Sequence, residues 1–119
     1  MDTCSNVYLS DLACSVLEEM GHNVLHLGNI TLPGSSDLGD VSYHCPAIQL
    51  GMSMGEREDK VPYEAHTREF AEQACTPQAL DNCIEFVKAF AVTAYKLMTE
   101  SEHLKKIKEE FDREVAGQI

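Results

Sequence analysis

Charge is distributed very unevenly along this 119-residue chain. Between Met20 and Gly55 the only charged side chains are Asp37 and Asp40, although the chain carries nine Lys and Arg and twenty Asp and Glu. A segment this poor in charge, yet rich in Gly, Ser, Asn and His, reads neither as a solvated loop nor as a simple core element. It predicts backbone threaded through an interior, with polar groups kept for a purpose. Residues 24–27 suit a short strand, and residues 47–52, which follow Pro46 and end near Gly51, suit a better one. Between them, Asp37 or Asp40 is placed to cap a short helical turn over residues 41–43.

Three longer helices flank this segment. Over residues 5–20, Val7, Leu9, Leu12, Ala13, Val16, Leu17 and Met20 recur mainly at steps of three and four. Ser5 or Asn6 suits the cap, and Gly21 stands where a helix-ending glycine belongs. Glu18 and Glu19 oppose the helix dipole at its C-terminal end, so tertiary packing is expected to hold this helix. Thr76 and Pro77 open the second, since Thr caps and Pro fits the first helical position. Leu80, Cys83, Ile84, Val87, Phe90, Ala91, Ala94, Leu97 and Met98 then trace a broad apolar stripe. Residues 99–102 match a capping box and open a last helix over about 100–115. Its apolar line is thin (Leu104, Ile107, Phe111, Val115), so a surface position is expected. Residues 56–64 read as a charged surface loop.

A net charge of −11 repels phosphate backbones and anionic lipid, which argues against nucleic-acid and membrane-surface partners. The most apolar helical stretch carries Glu85, Lys88 and Lys96, too many charges for a membrane span. The first residues lack a basic start followed by an apolar run, so a cytoplasmic location without a leader is expected. Five cysteines, an odd number with no Cys-x-x-Cys spacing, indicate neither a disulfide framework nor a zinc knuckle. Reduced, mostly buried thiols are expected instead.

Spacing alone assigns no site. His22, His26, His44, His66, Asp37 and Asp40 are possible metal ligands, yet no compact His-x-x-x-His or His-Glu-x-x-His motif joins them. Ser35, Ser36 and Ser42 lie near glycines without forming a nucleophile elbow. His44 and Cys45 are adjacent, so in a strand they would face opposite ways. His103, on the charged last helix, reads as a solvated residue. Two aspartates three residues apart read as caps or as a pocket wall.

The run from Gly34 to Gly51 (Gly-Ser-Ser-Asp-Leu-Gly-Asp-Val-Ser-Tyr-His-Cys-Pro-Ala-Ile-Gln-Leu-Gly), followed by Ala-His-Thr-Arg-Glu-Phe at 65–70 and a long apolar helix, resembles the C-terminal end of one metallohydrolase family. It includes aminoacylases, carboxypeptidase G-type enzymes, auxin-conjugate hydrolases and aminobenzoyl-glutamate amidohydrolases. The similarity is greatest to the aminobenzoyl-glutamate utilisation and aminoacylase-like branch. It implies an α/β fold, α+β if the chain stands alone. The chain would then be part of a three-layer catalytic domain, with about three helices and two or more short strands.

The resemblance also implies a divalent metal, zinc or manganese, in the complete enzyme. His66 matches the family's last metal-ligating histidine. Asp37 matches the pocket aspartate, with Ser36 where many relatives have Glu, and Asp40 and Ser42 belong to an extension that supports the pocket wall. The other ligands and the general base of the family have no counterpart in this sequence, so the chain alone is expected to be inactive. The implied substrate is a small molecule with an amide bond, such as an N-acyl amino acid or an aminobenzoyl-glutamate. The implied partners are an upstream polypeptide that completes the site, or further copies in a homo-oligomer. The competing expectation is a non-enzymatic acidic α+β module that dimerises through the stripe on residues 77–98.

Overall fold

The computed structural model describes residues 3–26, 36–55 and 57–117. Five helices follow one another: α1 (Val7–Glu19), α2 (Leu38–Val41), α3 (Arg68–Ala74), α4 (Pro77–Thr99) and α5 (Ser101–Ala116). They fall into two compact units. The first comprises Met1–Leu50 and Ala89–Ile119, and the second Gly51–Lys88.

The expected α/β or α+β architecture is not what forms. Among the described residues there is no strand, only a single parallel bridge between Ser5 and Ala47, in which the Asn6 N–H donates to the Ala47 carbonyl at 3.0 Å. The reason is local. The backbone that would extend this pairing turns into α1 at Val7, so its next N–H groups are taken by helix capping after one rung. Residues 47–52 keep an extended path without a ladder. Residues 24–26 are irregular, and Leu27 lies outside the described residues. The interior expected for the charge-poor segment is also only partly realised. Gly39, Ser42 and Ala47 are buried, while Leu25 is 78% and Val41 46% exposed.

The first unit is built on the packing of α5 against α1. Its core is small: Ala13, Cys14, Val16, Ala47, Ala89 and Ile107. α1 starts where expected, and all three of its initial N–H groups without a helical acceptor are satisfied by side chains. The Asn6 Oδ1 accepts from Leu9 N at 2.9 Å. The Glu110 carboxylate of α5 accepts from Val7 N at 2.6 Å and from Tyr8 N at 2.8 Å. Asn6, buried to 3% exposure, also donates through Nδ2 to the Ile107 carbonyl at 2.9 Å. α5 is therefore not a purely surface helix: its thin apolar line places Ile107 in the core. At its start the capping box does not form. Glu100 holds the cap position without a side-chain bond, and the Thr99 hydroxyl donates back to the Tyr95 carbonyl at 2.8 Å.

The second unit holds a turn, α3 and the first part of α4. Thr67 and Thr76 cap the two helices, accepting from Phe70 N at 3.1 Å and Ala79 N at 3.2 Å. Gly55 adopts φ +119°, a conformation that side chains strongly disfavour. The Gln73 Nε2 donates to the Met54 carbonyl at 2.6 Å, and the Asn82 Nδ2 to the Ser53 carbonyl at 3.0 Å. Ala79 is its one buried apolar residue among those described.

Candidate functional site

Ser36, Asp37 and Asp40 gather at α2. Asp37 occupies the cap position, but its side chain makes no capping bond. The Ser36 Oγ takes that role instead, accepting from Leu38 N at 3.2 Å. Ser36, Asp37 and Asp40 are all exposed. Ser42 has a structural role. It is fully buried, its Oγ accepts from Cys4 N at 2.9 Å and donates to the Gly39 carbonyl at 2.6 Å, and it thereby ties α2 to the start of the chain.

His66 belongs to the second unit. It is exposed, immediately ahead of the Thr67-capped α3, and its backbone has φ +67°. A residue with a Cβ pays roughly 1–2 kcal/mol for that left-handed conformation. The Thr67 hydroxyl helps impose it by donating to the Glu64 carbonyl at 2.7 Å while capping α3. Strain of this kind tends to collect where a side chain must be aimed.

A catalytic zinc takes three protein ligands as a rule. Among the described residues no three His, Cys, Asp or Glu side chains converge into such a set. His66 is one donor, so the described residues do not by themselves fit a catalytic metal, and no hydrolytic step is assigned through one.

A cluster missed in the sequence lies between α1 and α5. The Tyr8 hydroxyl bonds His103 Nδ1 at 2.9 Å, and His103 Nε2 bonds Glu100 Oε2 at 3.0 Å. The expectation of a solvated His103 is thus corrected: its side chain is 19% exposed and forms the middle of a phenol–imidazole–carboxylate chain. Lys106 lies over the Tyr8 ring, 5.5 Å from its centre. Such a chain can pass a proton in principle, but here its geometry clamps two helices. Tyr8 and His103 are 95 residues apart, so no local pattern announces the pair.

His26 is held by two carboxylates of α1, with Nε2 to Glu18 at 2.9 Å and Nδ1 to Asp11 at 3.3 Å. The bond to Glu18, then that to Asp11, raises its pKa. In the second unit an open acidic depression of about 520 Å³ is lined by Arg57, Glu58, Asp59, Tyr63, Glu69 and Glu72, among others. Among the described residues that line it, the cation Arg57 is committed, because it pairs with Asp59 at 3.0 Å and covers the Tyr63 ring.

The thiols are less buried than expected. Cys14 is buried and Cys4 half-buried, while Cys45, Cys75 and Cys83 are exposed. Burial pushes the Cys4 and Cys14 thiols above their usual pKa, and nearby carboxylates add to the effect. No described helix is long and apolar enough to cross a membrane. No protein-family model, curated protein or solved structure matches this chain.

Proposed function

We propose that this chain is the closing segment of the catalytic domain of a metal-dependent amidohydrolase, acting on N-acyl amino acids or aminobenzoyl-glutamate-like amides. In this reading His66 supplies one metal-ligating imidazole. Ser36, Asp37 and Asp40 belong to the pocket wall, and the remaining ligands and the general base come from upstream polypeptide. The divalent metal, zinc or manganese, belongs to the completed enzyme, and the segment alone is inactive. A cytoplasmic location goes with this reading.

The observation that carries the proposal is His66. Its imidazole is exposed, its backbone is left-handed, and a capped helix start fixes it from behind. Exposed Lys60 shares the left-handed conformation, at φ +58°, so it is the match of His66 to the ligating position of the resembled family that gives its backbone angle weight. The two ordered sequence motifs at 34–51 and 65–70 add chemistry to it, because they place an imidazole downstream of a pocket aspartate, as in the family they resemble.

The test is metal content and amide hydrolysis by the full gene product, or by this chain together with its upstream polypeptide, compared with His66→Ala. Loss of a metal equivalent and a fall in hydrolysis of more than about 100-fold are expected, since loss of a group that merely supports a metal ligand already costs about 10–100-fold. Unchanged metal content and rate in His66→Ala would overturn the proposal. So would tight stoichiometric zinc and amidase activity in the 119-residue chain by itself.

A further inference from the structure

The chain reverses direction at the end of α1. The Gly21 N–H donates to the Glu18 carbonyl at 2.9 Å and the His22 N–H to the Leu17 carbonyl at 3.1 Å, the paired bonds of a Schellman turn. Gly21 holds φ +90°, which glycine adopts without a Cβ clash. The turn brings His26 back beside α1, where its ring meets Asp11 and Glu18. Little else holds the returning residues. Val24 is half-buried, Asn23 is exposed and Leu25 is 78% exposed. Among the described residues, none of these three makes a hydrogen bond.

The imidazole is thus the tie. Its Nε2 lies 2.9 Å from the Glu18 Oε1 and its Nδ1 3.3 Å from the Asp11 Oδ1. The two carboxylates stand two turns apart on one face of α1, about 10 Å along its axis. An ionised carboxylate only accepts hydrogen bonds, and a neutral imidazole carries a single N–H. Bonds from both ring nitrogens to carboxylates therefore require the imidazolium. Loss of one of its protons turns a ring lone pair toward a carboxylate oxygen, and attraction at that contact becomes repulsion. The two nitrogens face different carboxylates, so the three groups do not converge on a point where a metal ion would sit.

We propose that His26 is a proton-operated latch: as the imidazolium it holds residues 23–26 against α1 through Asp11 and Glu18, and loss of one proton releases them. The charged groups that act on the ring are these two, both on α1. Lys96 of α4 pairs with Glu19 instead, at 3.4 Å, and His22, the other titratable residue of the returning segment, is exposed. Exposed ion pairs are individually weak, so the latch matters because the segment it holds has little other anchorage. The bond to Glu18, then that to Asp11, raises the ring's pKa. The latch is therefore closed below the free imidazole value of about 6.5 and opens as pH rises through the higher value of the docked ring. Imidazole is the side chain whose charge changes in this range.

The experiment is carbon-13 relaxation at the Cα atoms of Asn23, Val24 and Leu25 in the 119-residue chain, from about pH 5.5 to 8.5, with the His26 ring titrated on the same sample. Order parameters are expected to fall from about 0.85, the value of rigid backbone, to below about 0.6, that of flexible backbone. The midpoint of the fall is expected to match that of the ring. Two variants separate the latch from a general effect of pH. Asp11→Asn with Glu18→Gln keeps the imidazole but removes both anions, so the segment is expected to be loose at every pH. His26→Arg carries a permanent charge and a fork of donors, so the segment is expected to stay ordered at about pH 8.5. Far-UV circular dichroism checks that each variant keeps its helices. Three results would overturn the proposal: order that does not change with pH, a midpoint that differs from that of the ring, or a double variant as ordered as the parent at about pH 5.5.

Discussion

Glu110 offers the most direct measure of what holds α1 in place. Its carboxylate accepts from Val7 N at 2.6 Å and Tyr8 N at 2.8 Å, the first two N–H groups of α1, from a helix about one hundred residues downstream. Glu110→Gln keeps one acceptor oxygen, but turns an amide N–H₂ toward a backbone donor and removes the charge at the positive end of the helix dipole. Hydrogen bonds to a charged group contribute about 1.5–3 kcal/mol, and the dipole interaction accounts for about 0.3–1 kcal/mol of it. A loss near 2 kcal/mol is therefore expected. With a urea dependence of about 2 kcal/mol/M, that moves the unfolding midpoint down by about 1 M.

Removing one negative charge from a chain at −11 also relieves repulsion and acts in the opposite direction. Glu109→Gln makes the same charge change one residue away, where the carboxylate is exposed and, among the described residues, pairs with Lys105 at 4.0 Å. Its stability is expected within about 0.5 kcal/mol of the parent, as for surface substitutions in general. Urea titration of both variants by circular dichroism at 222 nm decides the matter. If Glu110→Gln coincides with Glu109→Gln, the claim that a long-range carboxylate anchors α1 is wrong.

Two further outcomes follow from the same structure. The His26 pKa lies above the usual imidazole value because Glu18 and Asp11 bond its charged form. This contribution to stability is full below the unfolded pKa of about 6.5 and is lost as pH rises through the higher folded pKa. An NMR titration of His26 is expected to fall back toward the unperturbed value in Glu18→Gln, and an unchanged midpoint there would disprove the assignment. At Gly55, φ is +119°, and an added Cβ would meet the Gln78 Oε1 and, at 2.6 Å, the Gln73 Nε2. The glutamine ends can shift but the backbone cannot relax cheaply, so Gly55→Ala is expected to destabilise the second unit by more than about 1 kcal/mol. Faster amide exchange confined to residues 51–88 would report it, and unchanged exchange would refute it.

The candidate site was only partly readable from the chain. Turn chemistry places a helical turn beside Asp37 and Asp40 over residues 41–43, whereas α2 forms earlier, over Leu38–Val41, with Asp40 inside it; α3, which Thr67 caps, has no counterpart among the expected helices. That Ser36 rather than Asp37 makes the capping bond, and that Ser42 is buried, depend on Cys4 and Gly39 meeting around it. The backbone angle at His66 is not written in the sequence, since histidine adopts it more often than most residues but still in a small minority of cases.

Local chemistry determined the boundaries of α1 and the start of α4. Asn6 and Gly21 bracket α1, and Thr76 with Pro77 opens α4, because capping and proline stereochemistry act within a few residues of each other. Apolar periodicity likewise identified which residues share a face. It did not say which face is covered. α4 buries Ala79, Ala89 and Thr93, half-buries Phe86 and Leu97, and exposes Leu80, Ile84, Val87 and Val92, a choice made by what packs beside it. The missing sheet, the anchoring of α1 by Glu110 and the Tyr8–His103–Glu100 chain were likewise settled only in the folded chain. Each rests on groups distant in sequence, or on a partner that a strand requires and its own residues do not supply.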